Sequence, residues 1–165
     1  MQYIIKKSEI ATHLLKWYDK NIHSYPWRST MDTYRVWLSE VMLQQTQVKT
    51  VIPYYQNWLK SMPSLKAVAR ADLDFILKKW EGMGYYARAR NFHSSAKIVV
   101  KDFDNKIPNN YQDFIALPGV GPYIASAVMS ISYNIPIPAV DGNAYRVVSR
   151  VETIDQTFNK SKRGI

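Results

Sequence analysis

Two carboxylates stand out by their settings. Glu40 lies in Trp37-Leu-Ser-Glu-Val-Met-Leu-Gln-Gln-Thr46, on an otherwise apolar stretch with helical spacing. A carboxyl buried there has its pKa raised and keeps a proton near neutrality, as a general acid must. A half-exposed structural glutamate is the plain alternative. Asp141, in Val-Asp-Gly-Asn143, stands just ahead of a second helical stretch. Taken alone it is first an N-cap, because Asp is among the commonest caps. A carboxylate held at a helix start, kept ionised by the helix dipole and by Arg146, can also stabilise a developing cation. A third feature is Leu117-Pro-Gly-Val-Gly-Pro-Tyr123. Its two glycines allow a tight turn that exposes backbone N–H groups, and a helix begins immediately after them. That is a phosphate cradle, or otherwise an ordinary helix–helix turn. Gln44 and Gln45 end the Glu40 stretch. They are solvated amides, or amides placed to enter a distorted duplex and read bases.

The elements that must hold these residues are helical. Ile10, Leu14, Trp17 and Tyr18 share one face of a helix over 8–21 opened by Ser8. A second helix covers 34–45. A third follows Thr46 as its cap and carries Val48, Val51, Ile52, Tyr55 and Leu59, with Pro53 in its first turns. Asp72 opens a short helix that Gly82 closes. Helices over 85–101, 111–116, 122–133 and 143–151 complete the pattern. No period-2 run of useful length occurs, so the spacing predicts an all-α domain. Its boundaries are set at 1–151, with a helix–turn–helix unit at about 111–133 and a polar tail over 152–165.

Composition narrows the function. The chain has 165 residues, 47% hydrophobic and 21% charged, and contains no cysteine. Disulfides, thiolate zinc sites, cysteine nucleophiles and cysteine-held iron–sulfur clusters are therefore excluded within it. The longest apolar run is Phe114 to Leu117, too short to span a membrane, and Met1 to Lys7 is too polar for a signal peptide. An intracellular, cytoplasmic monomer is expected, with no membrane partner. Lys and Arg number 22 against 13 Asp and Glu, a formal charge of +9. Such a balance favours polyanions, nucleic acid first among them. Arg88, Arg90, Lys97, Lys101 and Lys106 supply a candidate phosphate-facing side.

Four motifs in order, Ser39 to Thr46, Gly84-Tyr-Tyr-Ala-Arg-Ala-Arg-Asn91, Leu117 to Gly121 and Asp141-Gly-Asn143, closely resemble the A/G-specific adenine DNA glycosylases of the helix-hairpin-helix superfamily, from about residue 10 to 151. The resemblance implies a six-helix barrel carrying a helix-hairpin-helix. It implies base-excision hydrolysis of the N-glycosidic bond of adenine opposite 8-oxoguanine or guanine in duplex DNA. Glu40 falls on the family's catalytic acid and Asp141 on the carboxylate that stabilises the sugar cation. Asn143 falls on the amide that supports the acid–water arrangement. Tyr123 falls where sibling endonucleases carry a Schiff-base lysine; a phenol cannot form that imine, so the expected enzyme is monofunctional. Trp27, Arg28 and Leu43 match adenine-pocket positions. Gln45 and Tyr86 match residues that penetrate the base stack, or Gln44 and Tyr85 if the register is one earlier. Leu117, Gly119, Val120 and Gly121 match the DNA-gripping hairpin.

This arrangement is chemically coherent. Adenine leaves poorly until a ring nitrogen is protonated, so a proton donor near the base and a carboxylate near C1′ are the two parts required, as in two-carboxylate glycoside hydrolysis. The base must leave the helix to be reached. The family also carries a four-cysteine [4Fe–4S] cluster and a C-terminal domain that reads 8-oxoguanine, and neither has a counterpart here. The sequence-based expectation is a truncated chain with its first helix left partly bare. Two rivals accompany it: an inactive remnant that only binds DNA, and a related glycosylase that removes thymine from mismatches.

Overall fold

The computed structural model describes residues 7–154, and every described element is a helix. In chain order these are α1 (Lys7–Asn21), α2 (Thr33–Leu43), α3 (Val48–Ser61), α4 (Leu65–Arg70), α5 (Leu73–Trp80), α6 (Ala87–Asp102), α7 (Tyr111–Ile115), α8 (Pro122–Tyr133) and α9 (Gly142–Val151). The expected polar tail over 152–165 lies, from residue 155 on, outside the described residues.

Local chemistry sets most boundaries. Asp32 caps α2 by accepting from the Arg35 N–H at 2.9 Å, and Asn110 caps α7 by accepting from the Asp113 N–H at 2.9 Å. Pro122 stands in the first turn of α8, where its absent N–H costs nothing. Asn134 ends that helix in the left-handed conformation at φ 54°. Pro53 stands inside α3, which continues through it to Ser61.

One missed helix and four sequence-based boundaries are corrected. The periodicity missed α4, a helix of six residues, too short to show a repeat; its signal is Ser64, whose hydroxyl accepts from the Ala67 N–H. Ser8 stands inside α1 rather than before it. Thr46 does not cap α3, since Gln47 holds that position and the Thr46 hydroxyl donates back to the Gln44 carbonyl at 3.2 Å. Finally, α2 stops at Leu43 and α6 starts only at Ala87, because Gln45 (φ 53°) and Tyr85 (φ 49°) adopt left-handed backbone that no helix continues through.

The core explains how α2 is held. Trp37 on α2 meets Phe92 of α6 edge-on at 4.8 Å and Phe114 of α7 at 5.0 Å, so one indole joins three helices. Trp58 of α3 meets Trp80 of α5 at 5.7 Å. Rings of this kind each bury roughly 150–250 Å², and each edge-on pair adds about 0.5–1.5 kcal/mol beyond the area term. Trp58 Nε1 donates to the Tyr34 hydroxyl at 3.0 Å, and that hydroxyl donates to the Met62 carbonyl at 2.6 Å, whereas the buried Trp37 Nε1 has no hydrogen-bond partner. Helix α6 packs against α4, α5 and α2, while α2 packs against α8 and α3. α2 thus runs through the middle of the domain, and Val36 to Met42 are all buried.

Two helices differ. α1 exposes Leu14, Leu15, Trp17 and Tyr18, with Trp17 60% exposed. α9 has no buried residue, and Tyr145, Val147, Val148 and Val151 lie open. The expected bare face on the first helix is present, and the last described helix has one too.

Candidate active site

Glu40 is buried to 8% exposure in the midst of that central helix, one turn from its C-terminal end. Removal from water pushes its carboxyl pKa up; a hydrogen bond from the Tyr123 hydroxyl and the nearby charge of Arg28 pull the other way without reversing the shift. Tyr123 stands in the first turn of α8, which packs on α2, so helix packing alone brings phenol and carboxyl together. The Tyr123 hydroxyl is itself pushed up to about 12, by burial first, then by the charge of Glu40 and the bond to it, and further by the charge of Asp141. One phenol therefore feels both carboxylates. A carboxyl held this way keeps its proton to higher pH than an ordinary glutamate and can deliver it, while Tyr123 stays protonated and donates.

Asp141 is the N-cap of α9: one carboxylate oxygen accepts from the Ala144 N–H at 2.7 Å. The other accepts from the Asn143 side-chain amide at 3.0 Å. Arg146 does not reach Asp141; its guanidinium donates to the Asn143 carbonyl oxygen at 2.9 Å. The nearby Arg146 expected from the sequence acts through a relay, in which Arg146 orients Asn143 and Asn143 orients Asp141. Cap and reactive carboxylate are compatible roles, since the cap bond fixes the side chain while Asp141 stays only half-buried.

The hairpin is built as its residues require. Leu117 to Val120 form a tight turn closed by the Val120 N–H on the Leu117 carbonyl at 3.1 Å. Pro118 takes its second position and Gly119, at φ +75°, its third, the residues such a turn favours. A Cβ on Gly119 would lie 2.7 Å from the Cβ of Asn91, so any side chain is excluded there. A Cβ on Gly121 would meet nothing within 4 Å. Leu117 and Val120 are buried anchors, and Ser95 of α6 donates to the Pro118 carbonyl at 2.8 Å. Gly121 is the N-cap of α8, where the first backbone N–H groups have no partner within the helix and the dipole is positive.

Gln44 is half-buried and Gln45 exposed at the end of α2, and Tyr85 and Tyr86 are exposed in the turn before α6. Both turns meet at Arg88. Its guanidinium donates to the carbonyls of Val41, Met42, Gln44, Met83, Gly84 and Tyr85 and to the Thr46 hydroxyl. Arg88 is thus removed from the phosphate-facing set, because no N–H is left for a phosphate. Arg90, Lys97, Lys101 and Lys106 remain exposed, the first three spaced to share one face of α6.

Other expected positions are placed less directly. Arg28 is exposed and electrostatically linked to Glu40 and Tyr123. Trp27 is a core residue at 4% exposure, stacked on Tyr25 at 5.4 Å and edge-on to Tyr55 at 5.4 Å. Leu43 is half-buried against the same core. A cleft of about 680 Å³, lined among others by Asp32, Tyr34, Lys106 and Tyr133, contains none of the motif residues. Sequence reasoning missed the Tyr123–Glu40 bond and misread Arg88, although Arg88 sat inside a quoted motif.

A [4Fe–4S] cluster of the kind implied by the family takes four cysteine thiolates. The sequence has no cysteine, and among the described residues no group of His, Asp and Glu could hold a metal ion. This chain offers no fit for the cluster, and no step is derived through it. Among the described residues no helix is long and apolar enough to cross a membrane.

Residues 38–164 match the HhH-GPD superfamily of base excision DNA repair proteins. An adenine DNA glycosylase of Buchnera aphidicola subsp. Baizongia pistaciae is 43% identical over 143 residues, covering 86% of this chain and 41% of the relative. The human adenine DNA glycosylase is 43% identical over 150 residues, covering 86% of this chain and 28% of the relative. The chain therefore spans well under half the length of these relatives. Among solved structures, a thermostable thymine-DNA glycosylase superimposes with a TM-score of 0.81 at 25% identity, over 86% of this chain and 66% of that one. A trapped endonuclease III–DNA covalent intermediate superimposes with a TM-score of 0.74 at 19% identity, over 93% of this chain and 74% of that one.

Proposed function

We propose, for a chain that belongs to the HhH-GPD superfamily of base excision DNA repair proteins, that it hydrolyses the N-glycosidic bond of adenine mispaired with 8-oxoguanine or guanine in duplex DNA. The observation that carries the reading is the Tyr123 hydroxyl, hydrogen-bonded to buried Glu40 and within the field of Asp141. Relatives that share 43% identity over 86% of this chain are adenine DNA glycosylases.

In this reading the extrahelical adenine lies against Glu40, which gives its proton to a ring nitrogen. The C1′–N9 bond then breaks and its electron pair leaves with the base. The sugar cation that remains is stabilised by Asp141, through an ion pair or a transient ester, with Asn143 and Arg146 fixing the carboxylate. Water adds at C1′ and its proton returns to Glu40, leaving free adenine and an abasic site. General acid catalysis of this kind contributes about 10²–10⁴-fold. Tyr123 positions the acid and cannot form an imine, so strand cleavage by a lyase step has no amine at this position. Arg28, Trp27 and Leu43 line the base, and the Leu117 to Gly121 hairpin with Arg90, Lys97 and Lys101 holds phosphates.

A thymine-removing enzyme is the second reading, favoured by the 0.81 TM-score to a thymine-DNA glycosylase. The test is chromatographic detection of the free base released from four duplexes: A opposite 8-oxoguanine, A opposite G, T opposite G, and a matched control. Adenine from the first two supports the proposal. Thymine from the third supports the second reading, and no base from any duplex overturns both.

A further inference from the structure

We propose that Arg88 is a positioning residue whose guanidinium locks the turns at 44–46 and 83–85 into one edge, from which Gln45 and the Tyr85–Tyr86 pair act on the duplex. The inference rests on the glycosylase reading, which requires a base pair to be opened.

Two turns far apart in sequence converge on one side chain. Nη1 donates to the carbonyls of Val41 at 3.1 Å, Met42 at 2.8 Å and Gln44 at 2.6 Å, the last carbonyls of α2 and its C-cap. Nη2 donates to the Thr46 hydroxyl at 3.0 Å and to the carbonyls of Met83 at 3.3 Å and Gly84 at 3.1 Å. Nε donates to the Tyr85 carbonyl at 3.4 Å. Arginine has five N–H donors in a fixed plane, and all five are engaged here. The guanidinium carbon also lies 5.2 Å from the Trp80 ring centre, and Trp80 Nε1 donates to the Gly84 carbonyl at 3.0 Å, a second tie on the same turn.

The two turns need such a lock. Each contains a non-glycine residue at positive φ, Gln45 at 53° and Tyr85 at 49°, a conformation that persists only where surrounding bonds over-determine it. Each presents its polar or aromatic side chain outward, Tyr85 at 61% exposure. Gln44, Arg88, Asn91 and Gly119 line one small cavity of about 40 Å³, so the locked edge abuts the hairpin turn. Edge and hairpin form one block, and the distance from a gripped phosphate to the residues entering the stack is fixed. The positive charge at the C-terminus of α2 is favoured by that helix's dipole and steadies the turn that follows Glu40. Lysine keeps the charge but has three donors and no plane, and so cannot span both turns.

The test places 2-aminopurine at the target position of two duplexes. In one it faces a mismatched base; in the other it faces an abasic gap and needs no opening. Parent, Arg88→Lys and Arg88→Met are compared by fluorescence rise on binding. Both variants should open the mismatched duplex about tenfold less than the parent, a modest loss for a misplaced edge, while the gap duplex responds as with the parent. Equal losses on both duplexes would show a merely structural role and overturn the proposal, as would no loss in either. A parent that raises the fluorescence of neither duplex overturns the functional reading, and this proposal with it. A parent that opens the mismatched duplex no better than Arg88→Lys overturns the role of Arg88 alone. Amide hydrogen exchange keeps the proposal testable if Arg88→Met folds poorly. In Arg88→Lys, exchange should quicken at residues 43–46 and 83–86 and stay unchanged in the core, and uniform quickening would refute the lock.

Discussion

The two hairpin glycines separate folding from binding, and their alanine variants should behave in opposite ways. Gly119 stands at φ +75°, and a Cβ there would lie 2.7 Å from the Asn91 Cβ and 3.1 Å from its Nδ2. The nearest atom is a Cβ fixed to α6 and cannot swing aside. Left-handed backbone costs a non-glycine residue about 1–2 kcal/mol, and forcing a methyl into a packed site costs about 1–3 kcal/mol. Gly119→Ala should therefore lose about 2–5 kcal/mol, a fall in Tm of roughly 5–20 °C for a domain of this size. Gly121 has φ −93° and open space where its Cβ would be. Restricting the unfolded chain gains about 0.4–1 kcal/mol, and placing Ala at an N-cap offsets most of that. Gly121→Ala should fold as well as the parent. The open space is, however, where a phosphate would approach the first N–H groups of α8. Losing one charge-assisted hydrogen bond there costs about 1.5–3 kcal/mol, or at least about tenfold in affinity. Thermal unfolding and fluorescence anisotropy on one labelled duplex at fixed salt measure both quantities. A Gly119→Ala protein as stable as the parent would refute the steric argument, and a Gly121→Ala protein that binds like the parent would refute the cradle.

Three further outcomes follow from the same geometry. Tyr123→Phe removes a hydrogen bond that favours the Glu40 carboxylate, so the Glu40 pKa rises further and the alkaline limb of the pH–rate profile should move to higher pH; a shift to lower pH would contradict the bond's role. Since Glu40 titrates higher folded than its ordinary value of 4.5, its contribution to stability is present below that value and lost as pH rises through the raised pKa, and Glu40→Gln should remove that slope from unfolding curves taken between about pH 4 and pH 8. Tyr123→Lys places an amine beside the site, so borohydride should trap an abasic-DNA adduct in the variant and much less in the parent, and equal trapping would mean that another amine acts as a lyase.

Much of the fold was legible because the long helices each repeat apolar residues over several turns; the stripe Ala89, Phe92, Ala96 and Val99 in α6 is one case, and all four are buried. What escaped was short or long-range. Helix α4 has six residues and only Ser64 announces it. The turn that ends α2 is held by Arg88 reaching across 42 to 47 positions of sequence, which no local pattern reports. The site behaves similarly. Glu40 was visible as a carboxyl on an apolar face and Asp141 as a cap, since both signals are local. The Tyr123–Glu40 bond depends on α8 packing against α2, and the Arg146–Asn143–Asp141 relay depends on rotamers. The face of α1, expected bare because the resemblance implies a packing segment with no counterpart here, is bare, whereas the exposure of Val147, Val148 and Val151 on α9 was not foreseen, because an apolar stripe looks the same covered or open.

The most direct test of the central claim is single-turnover release of adenine from a duplex carrying A opposite 8-oxoguanine, measured for the parent and for Glu40→Gln alongside binding to the same duplex. The amide keeps the shape of the buried carboxyl but has no acidic proton to give. Release should fall by at least about 10²-fold while binding is unchanged; release at the parental rate by Glu40→Gln would show that the buried carboxyl is not the acid.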